Sequence, residues 1–464
     1  MTAAPIRTYS KRNGGTIMIE LHPLSAAEFP LVVDWVNAHD ADFLVQWAGK
    51  TYRYPLTVAQ MEQHYNKGIN SLESGVFIYK IVETGQGEII GTVQLGRIDM
   101  DAKEAAVGRF LIKSEQWRGR GIGTKALREI VRIGFEDLGL NRIRLNVFDF
   151  NRRAIRCYEK VGFTASRVNA NAYRTVKGEI WNQVVMTIEK DQWLKSLNSE
   201  YRNINRLNWN DRTAIHAKSK FYDVDSFLSE GTPRFGLDQE ELGDVAGCTM
   251  LHLQCHFGLD SLNWARLGAL VTGVDFSEHA IALARKLNDQ LGLNARFLCS
   301  DIYHAKEVLQ GETFDIVYTS YGVLCWLPDL TEWAELIRSS LKPGGTFYMA
   351  EFHPVAYIYE AVDGHLKMCN PYFDHRARRY VSASTYTGDE EPLEHPVTYQ
   401  WQHTLSEIVS SLAGAGLKLE FLHEFPFTMY NMFPGLMIQD EQGRWRMKEN
   451  GHLPLLFSVK ARKC

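Results

Sequence analysis

Gln116-Trp117-Arg118-Gly119-Arg120-Gly121-Ile122-Gly123-Thr124 is the stretch whose reading decides the fold of the first half of the chain. Before it runs Val107-Gly108-Arg109-Phe110-Leu111-Ile112, apolar-rich and of strand length. After it, Leu127, Ile130, Val131 and Phe135 recur at three- and four-residue spacing, which predicts an amphipathic helix. Strand, glycine-rich turn and helix together describe an anion cradle. Glycine opens backbone conformations closed to other residues, so several N–H groups can point inward together. The helix N-terminus adds unpaired donors and the positive end of its dipole, which suits a pyrophosphate. Arg118 and Arg120 add mobile positive charge.

The glycine spacing is not that of a P-loop. Nor does an acidic residue end a following strand about 20 residues on, as a dinucleotide-binding turn requires. Gln116-x-x-Gly119-x-Gly121 is instead similar to the Q/R-x-x-G-x-G/A signature of the GNAT acetyltransferases. Asn151, Ala154, Tyr158 and Gly162-Phe163 resemble that family's second block, and the likeness covers about 18–190. The resemblance implies acetyl-CoA as cofactor, its pyrophosphate on Gln116, Arg118, Gly119, Arg120, Gly121, Ile122, Gly123 and Thr124. It also implies that Phe110, Leu111 and Ile112 hydrogen-bond the cofactor from a splayed strand, that Asn151 meets the pantetheine arm, and that Tyr158 protonates the departing thiolate. An unperturbed tyrosine, with a pKa of about 10, keeps that proton at neutral pH. An amine acceptor must lose its proton before it attacks; Glu115, Asp149 and Glu104 are the candidate bases, with none preferred.

Around this core the chain predicts a strand over 16–21, a helix opened by the Ser25-x-x-Glu28 capping box, and an aromatic segment from Phe43 to Tyr54. Strands follow near 74–83, 89–95 and 141–148, then the helix of Tyr158 and a last strand at 183–188. The first 17 residues read as a loose extension, with Met18 an alternative start. Residues 191–208 are polar and predict a linker, so a second domain is expected over 209–464.

At 464 residues, with 45% hydrophobic and 23% charged side chains, more than one globular domain is required. The net charge of −4 argues against a nucleic-acid-coating role. Seven scattered cysteines without a C-x-x-C pair fit reduced cytoplasmic thiols, not a disulfide framework or a zinc site. No run reaches the roughly 20 apolar residues needed to span a bilayer.

In the second half, Thr249 to Gln254 alternates as a strand and runs into Cys255-His256-Phe257-Gly258. Val271 to Asp275 is a second strand ending in a carboxylate, with Phe276 next and a helix over 280–291. A carboxylate at that place can accept both hydroxyls of a ribose. The layout resembles the class I S-adenosylmethionine-dependent methyltransferases, a Rossmann-like doubly wound α/β fold. Asp301 after 297–300, the strand 314–318 and Leu341-Lys-Pro-Gly-Gly345 match further blocks of that family. The resemblance implies S-adenosyl-L-methionine held by Leu253, Cys255, Gly258, Asp275, Phe276, Asp301 and Ile302. It departs from the pattern at the first motif: the usual acidic residue is replaced by His252 or Gln254, and Gly258 alone remains of the glycines. Tyr321 and His353 fall where substrate contacts are expected, and Tyr222 and His216 in the segment that folds over the methionine end. An aromatic insertion near 352–400 reads either as a substrate cover or as a dimer contact, which leaves a homodimer open.

The expectation is a bifunctional cytoplasmic transferase, acetylating an amine of a small molecule or peptide and methylating an acceptor, with no metal. The alternative is a protein N-terminal acetyltransferase whose second half has become a ligand-binding or scaffolding module.

Overall fold

Two units divide the chain, 1–197 and 198–464. The computed structural model describes residues 19–230, 236–389, 391–449 and 451–464. The expected extension at 1–17 and the start at Met18 lie outside the described residues.

The first unit runs β1 (Ile19–Pro23), α1 (Phe29–Asn37), α2 (Ala41–Ala48), α3 (Val58–His64), β2 (Val76–Glu83), β3 (Glu88–Asp99), β4 (Glu104–Ile112), α4 (Ile122–Arg132), β5 (Arg142–Phe148), α5 (Arg152–Glu159), β6 (Thr164–Arg174) and β7 (Ile180–Glu189). They build one seven-stranded sheet in the order β1-β2-β3-β4-β5-β7-β6. Only β4 and β5 pair in parallel; the other neighbours are antiparallel. α4 buries Ile122, Ala126, Leu127, Ile130 and Val131, a stripe at helical period that seals one face of the sheet. Each of its isoleucine, leucine and valine side chains contributes about 1.5–3 kcal/mol by leaving water. The Ser25–Glu28 pairing is present, with Ser25 N–H donating to the Glu28 carboxylate at 2.8 Å, but it opens a short 3-10 turn ahead of α1.

β6 is absent from the sequence expectation. It forms the sheet edge and is largely exposed, so it shows no alternation of apolar and polar residues. The segment expected as a linker is helical: α6 spans Lys190–Lys218. Trp193, Leu194 and Leu197 pack on the first unit's core, which explains its start. Farther along, its buried side is polar. Asn205 donates to the Tyr399 carbonyl at 2.7 Å and Asn208 to that of His395 at 2.6 Å, which hides the helical period from a hydrophobicity reading.

The second unit continues with α7 (Val224–Glu230), α8 (Leu237–Leu242), β8 (Thr249–Leu253), α9 (Leu259–Arg266), β9 (Leu270–Asp275), α10 (Glu278–Leu291), β10 (Arg296–Cys299), α11 (Ala305–Leu309), β11 (Phe314–Thr319), α12 (Leu330–Ser340) and β12 (Leu341–Phe352). Short strands β13 (Tyr359–Val362), β14 (His365–Met368), β15 (Arg378–Val381) and β16 (Val397–Gln400) form the insertion as two hairpins. α13 (Leu405–Gly414), β17 (Leu417–Phe425), β18 (Met437–Gln439), β19 (Trp445–Met447) and β20 (Leu456–Lys463) complete it. The main sheet has the order β10-β9-β8-β11-β12-β20-β17; β20 alone runs against the rest, antiparallel to both β12 and β17, while the first five strands are mutually parallel. This is the doubly wound arrangement. The chain reverses direction of winding between β8 and β11, and ligands enter at the carboxyl ends of strands beside such a point.

Candidate active sites

In the first unit, β4 and β5 are paired from Glu104↔Arg142 to Val107↔Leu145 and then part. The cause is visible on the other side of β4. Gly108 stands opposite Gln94 and Leu111 opposite Thr92, so β4 carries an extra residue there, with Arg109 at φ +46°. Such a bulge bends the strand and frees its later residues from the neighbour. Phe110, Leu111 and Ile112 occupy that freed stretch; Leu111 is buried, and the other two pack on the core beneath.

Arg109, which the sequence did not single out, locks the bulge. It donates to Tyr65 Oη at 2.8 Å and Gln94 Oε1 at 2.6 Å, and lies over the Tyr52 and Tyr65 rings.

The glycine turn follows. Gln116 sits in a single 3-10 turn, Gly119 and Gly121 have φ of +75° and +76°, and Gly121 caps α4 without any side-chain acceptor. A Cβ at either glycine would meet nothing within 4 Å, so the space above the turn is open. The uncapped first turn of α4 thus faces a free volume, which fits an anion. Gly123 lies close to Cys157 and Phe110, and Thr124 Oγ1 meets Cys157 Sγ at 3.4 Å; here the small residues let α4 approach α5. Arg118 pairs with Glu115 and donates to the Ile112 carbonyl at 3.2 Å. Arg120 lies over the Trp117 ring.

Asn151 caps α5, its Oδ1 accepting the Ala154 N–H at 3.2 Å. Tyr158 packs on the core beside Phe163, and burial raises its pKa above that of an ordinary tyrosine, so the hydroxyl is protonated at neutral pH. The three candidate bases are all engaged. Glu104 pairs with Arg142 at the start of β4, Asp149 accepts from Asn182 at 2.9 Å, and Glu115 holds Arg118 and Arg153.

In the second unit a cavity of about 490 Å³ opens at the carboxyl ends of the parallel strands. Cys255, Gly258, Asp275, Phe276, Asp301, Ile302, Tyr321 and Tyr222 all line it. The turn after β8 has a regular backbone: Gln254, His256 and Gly258 have φ of +59°, +50° and +79°. Alternate residues are therefore left-handed, the shape a G-x-G-x-G turn would take. Two of the three positions carry side chains at a cost of about 1 kcal/mol each. Of the two positions open for the missing acidic residue, this register leaves His252, two residues before the turn. It is fully buried between Ser261 at 2.7 Å and Ser320 at 3.1 Å, and burial pushes its pKa down to about 3, so it is neutral.

Asp275 closes this turn. Its carboxylate accepts the N–H of His256 at 2.9 Å and of Ser277 at 2.9 Å. Burial raises its pKa to about 6, against the pull of those donors. Ser277, not Asp275, caps α10. Asp301 accepts from Arg202 Nε at 2.6 Å and from the Tyr303 N–H at 3.0 Å.

Three expected residues do not line the cavity. Leu253 is fully buried in the apolar core under the sheet, as its inward register on β8 dictates. His353 is buried with both ring nitrogens used, Nε2 against Glu424 at 2.8 Å and Nδ1 accepting the Val355 N–H at 3.1 Å. His216 is likewise enclosed, between Thr385 at 2.6 Å and His256 at 3.0 Å.

Glu351 and Asp238 were missed. The fully buried Glu351 carboxylate accepts backbone N–H groups of Gly322 (2.6 Å), Val323 (2.8 Å), Leu324 (3.1 Å) and Phe352 (2.6 Å), fixing the loop after β11. Asp238 accepts the hydroxyls of both Tyr318 and Tyr321, so the Tyr321 ring lines the cavity while its hydroxyl is tethered. Burial raises the Asp238 pKa to about 7 despite those two bonds.

A strand–glycine turn–helix beside parting parallel strands, and a doubly wound sheet with a ligand-sized cavity at its switch point, define two transferase-type units. Residues 19–164 match the family model of the acetyltransferase (GNAT) domain, and residues 250–345 that of a methyltransferase domain. The chain thus joins a GNAT acetyltransferase domain to a methyltransferase domain. It is 28% identical over 172 residues to an aminoglycoside N(6')-acetyltransferase type 1 of Klebsiella pneumoniae, covering 35% of this chain and 82% of that one. Over 122 residues it is 34% identical to a ubiquinone biosynthesis O-methyltransferase of Coxiella burnetii, spanning 25% of this chain and half (50%) of that relative. A solved spermidine N-acetyltransferase of Vibrio cholerae, in complex with CoA and spermine, is 20% identical with a TM-score of 0.33, covering 38% of this chain and 98% of that one. Among the described residues no helix is long and apolar enough to cross a membrane.

Proposed function

We propose that the chain is a bifunctional cytoplasmic enzyme, with an acetyl-CoA-dependent N-acetyltransferase in the first unit and an S-adenosylmethionine-dependent methyltransferase in the second. The cofactors would supply an activated acyl thioester and a sulfonium methyl group. In the first unit, the uncapped N–H groups at Gly121–Thr124 hold the pyrophosphate, Phe110–Ile112 orient the pantetheine arm, and Tyr158 holds the proton that the leaving thiolate needs. The name of the aminoglycoside acetyltransferase supports an amine on a small molecule as acceptor.

In the second unit, Asp275 orients the ribose hydroxyls, Phe276, Asp301 and Ile302 flank the base, and the aromatic walls exclude water. Transfer is an in-line displacement that depends on orientation more than on a base. The observation that carries this reading is Asp275 itself: a buried carboxylate, fixed by two backbone N–H groups, at the end of β9 and on the cavity wall.

The side chains at Gln254 and His256, where a glycine turn is usual, favour one second reading, in which this unit binds its ligand without turnover. Calorimetry with each cofactor, followed by mass spectrometry of cell extract incubated with both, tests the two together. Products one acetyl and one methyl group heavier support the bifunctional reading. Binding of both cofactors with acetylated products alone supports the second, and no binding of either removes both.

A further inference from the structure

Three side chains of α6 stand in the wall of the second unit's cavity: Arg202, Trp209 and Arg212. Arg202 is paired with Asp301. Arg212 has no carboxylate beside it among the described residues, although it is only 7% exposed. Its Nε is buried without a hydrogen-bond partner among the described residues. What surrounds it is aromatic: the guanidinium carbon lies 5.2 Å from the Trp209 ring centre, 5.9 Å from Tyr386 and 6.0 Å from Trp326.

Ring faces partly offset the loss of water for a cation. They do not satisfy the in-plane N–H donors, of which Nε is buried and unpaired among the described residues, and an unpaired buried charge is costly. A fold that keeps such a group on a cavity wall has left a place for an anion. The guanidinium is planar with its donors in a fork, so the complementary partner is a carboxylate taken bidentately.

We propose that Arg212 is the cavity's counter-ion for a carboxylate carried by a bound small molecule. This rests on the reading of the cavity as a methyl-transfer site. The carboxylate has two sources there, the amino-acid end of the methyl donor or an acidic acceptor.

The test uses full-length protein, wild type against Arg212→Met and Arg212→Lys. Calorimetry with S-adenosylhomocysteine and with 5′-methylthioadenosine, which lacks the carboxylate, reads the donor arm. Benzoate and benzamide, titrated into protein saturated with S-adenosylhomocysteine, read the acceptor arm.

The expected result is that Arg212→Met weakens one carboxylate probe about ten- to a hundredfold and leaves its uncharged counterpart unchanged. Arg212→Lys, which keeps the charge but not the fork, should fall between; it carries the test if the methionine variant does not fold. Loss confined to S-adenosylhomocysteine assigns the donor, and loss confined to benzoate the acceptor. Equal binding of all probes by all variants overturns the proposal, as does equal weakening of charged and uncharged probes. If wild-type protein binds neither adenosyl compound, the methyl-transfer reading fails by itself. Benzoate and benzamide titrated into the protein alone then decide the role of Arg212.

Discussion

Asp275 accepts the backbone N–H of His256 at 2.9 Å, so one carboxylate ties the end of β9 to the turn after β8. The group that would orient the methyl donor also holds the shape of the loop facing it.

Asp275 should make donor binding pH-dependent. Its pKa is raised to about 6, chiefly by burial, and ribose hydroxyls need the ionised form. The affinity for S-adenosylhomocysteine should therefore drop as pH falls through 6 and level off above 7, about one unit higher. In Asp275→Asn the step should vanish and affinity at pH 7 should be about tenfold or more lower. Calorimetry from pH 5 to 8 checks both, and an unchanged pH step in the variant would refute the assignment.

Tyr158→Phe should separate chemistry from folding. No hydrogen bond to the Tyr158 hydroxyl is found among the described residues, so the melting temperature should stay within a degree or two, about 0.5 kcal/mol or less. Acetylation of a small amine should lose about 100-fold or more in kcat if the hydroxyl is the acid. An unaltered kcat would return Tyr158 to a packing role.

Gly121→Ala tests the cradle. At φ +76° an alanine is strained by roughly 1–2 kcal/mol, although its methyl group meets no neighbouring atom within 4 Å. Stability should fall by that amount, measured in urea, while the affinity for acetyl-CoA should fall by more than tenfold because the methyl group enters the ligand's space. Loss of stability without loss of affinity would argue against a phosphate site here.

Asp238 should write a slope into the stability of the second unit. Its folded pKa of about 7 lies above an ordinary aspartate's, chiefly through burial. The native state therefore holds a proton that the unfolded chain releases near pH 4, about the ordinary aspartate value. Its contribution is full below that value and is lost as pH rises toward 7. Asp238→Asn should flatten this slope in urea titrations at pH 5, 6, 7 and 8; an equal slope in both proteins would show that another group titrates.

Much of the fold was legible because it is written locally. Gly119 and Gly121 announce their turn by their own backbone freedom, and Asp275 stands at the end of an apolar strand. The apolar stripe of α4 shows the helical period directly. The edge strand β6 could not be read so, because a strand exposed to water carries no alternation. α6 was hidden by asparagines that are buried but satisfied by distant carbonyls.

The site residues divide the same way. Arg109, Arg212, Asp238 and Glu351 are polar residues whose meaning comes from burial among partners remote in the chain. Glu351 reads as an ordinary surface acid until the loop at 322–324 folds its N–H groups onto it. His353 misled for the converse reason: its place after β12 is right for a substrate contact, but Glu424 and the Val355 N–H claim its ring.

The left-handed backbone at Gln254 and His256 has a pharmacological consequence. Where a bare turn would present only peptide groups, this one places the Gln254 side chain in the cavity wall, its amide donating to the Val323 carbonyl at 3.2 Å. An inhibitor shaped to pack against that side chain should distinguish this enzyme from those whose corresponding loop is all glycine.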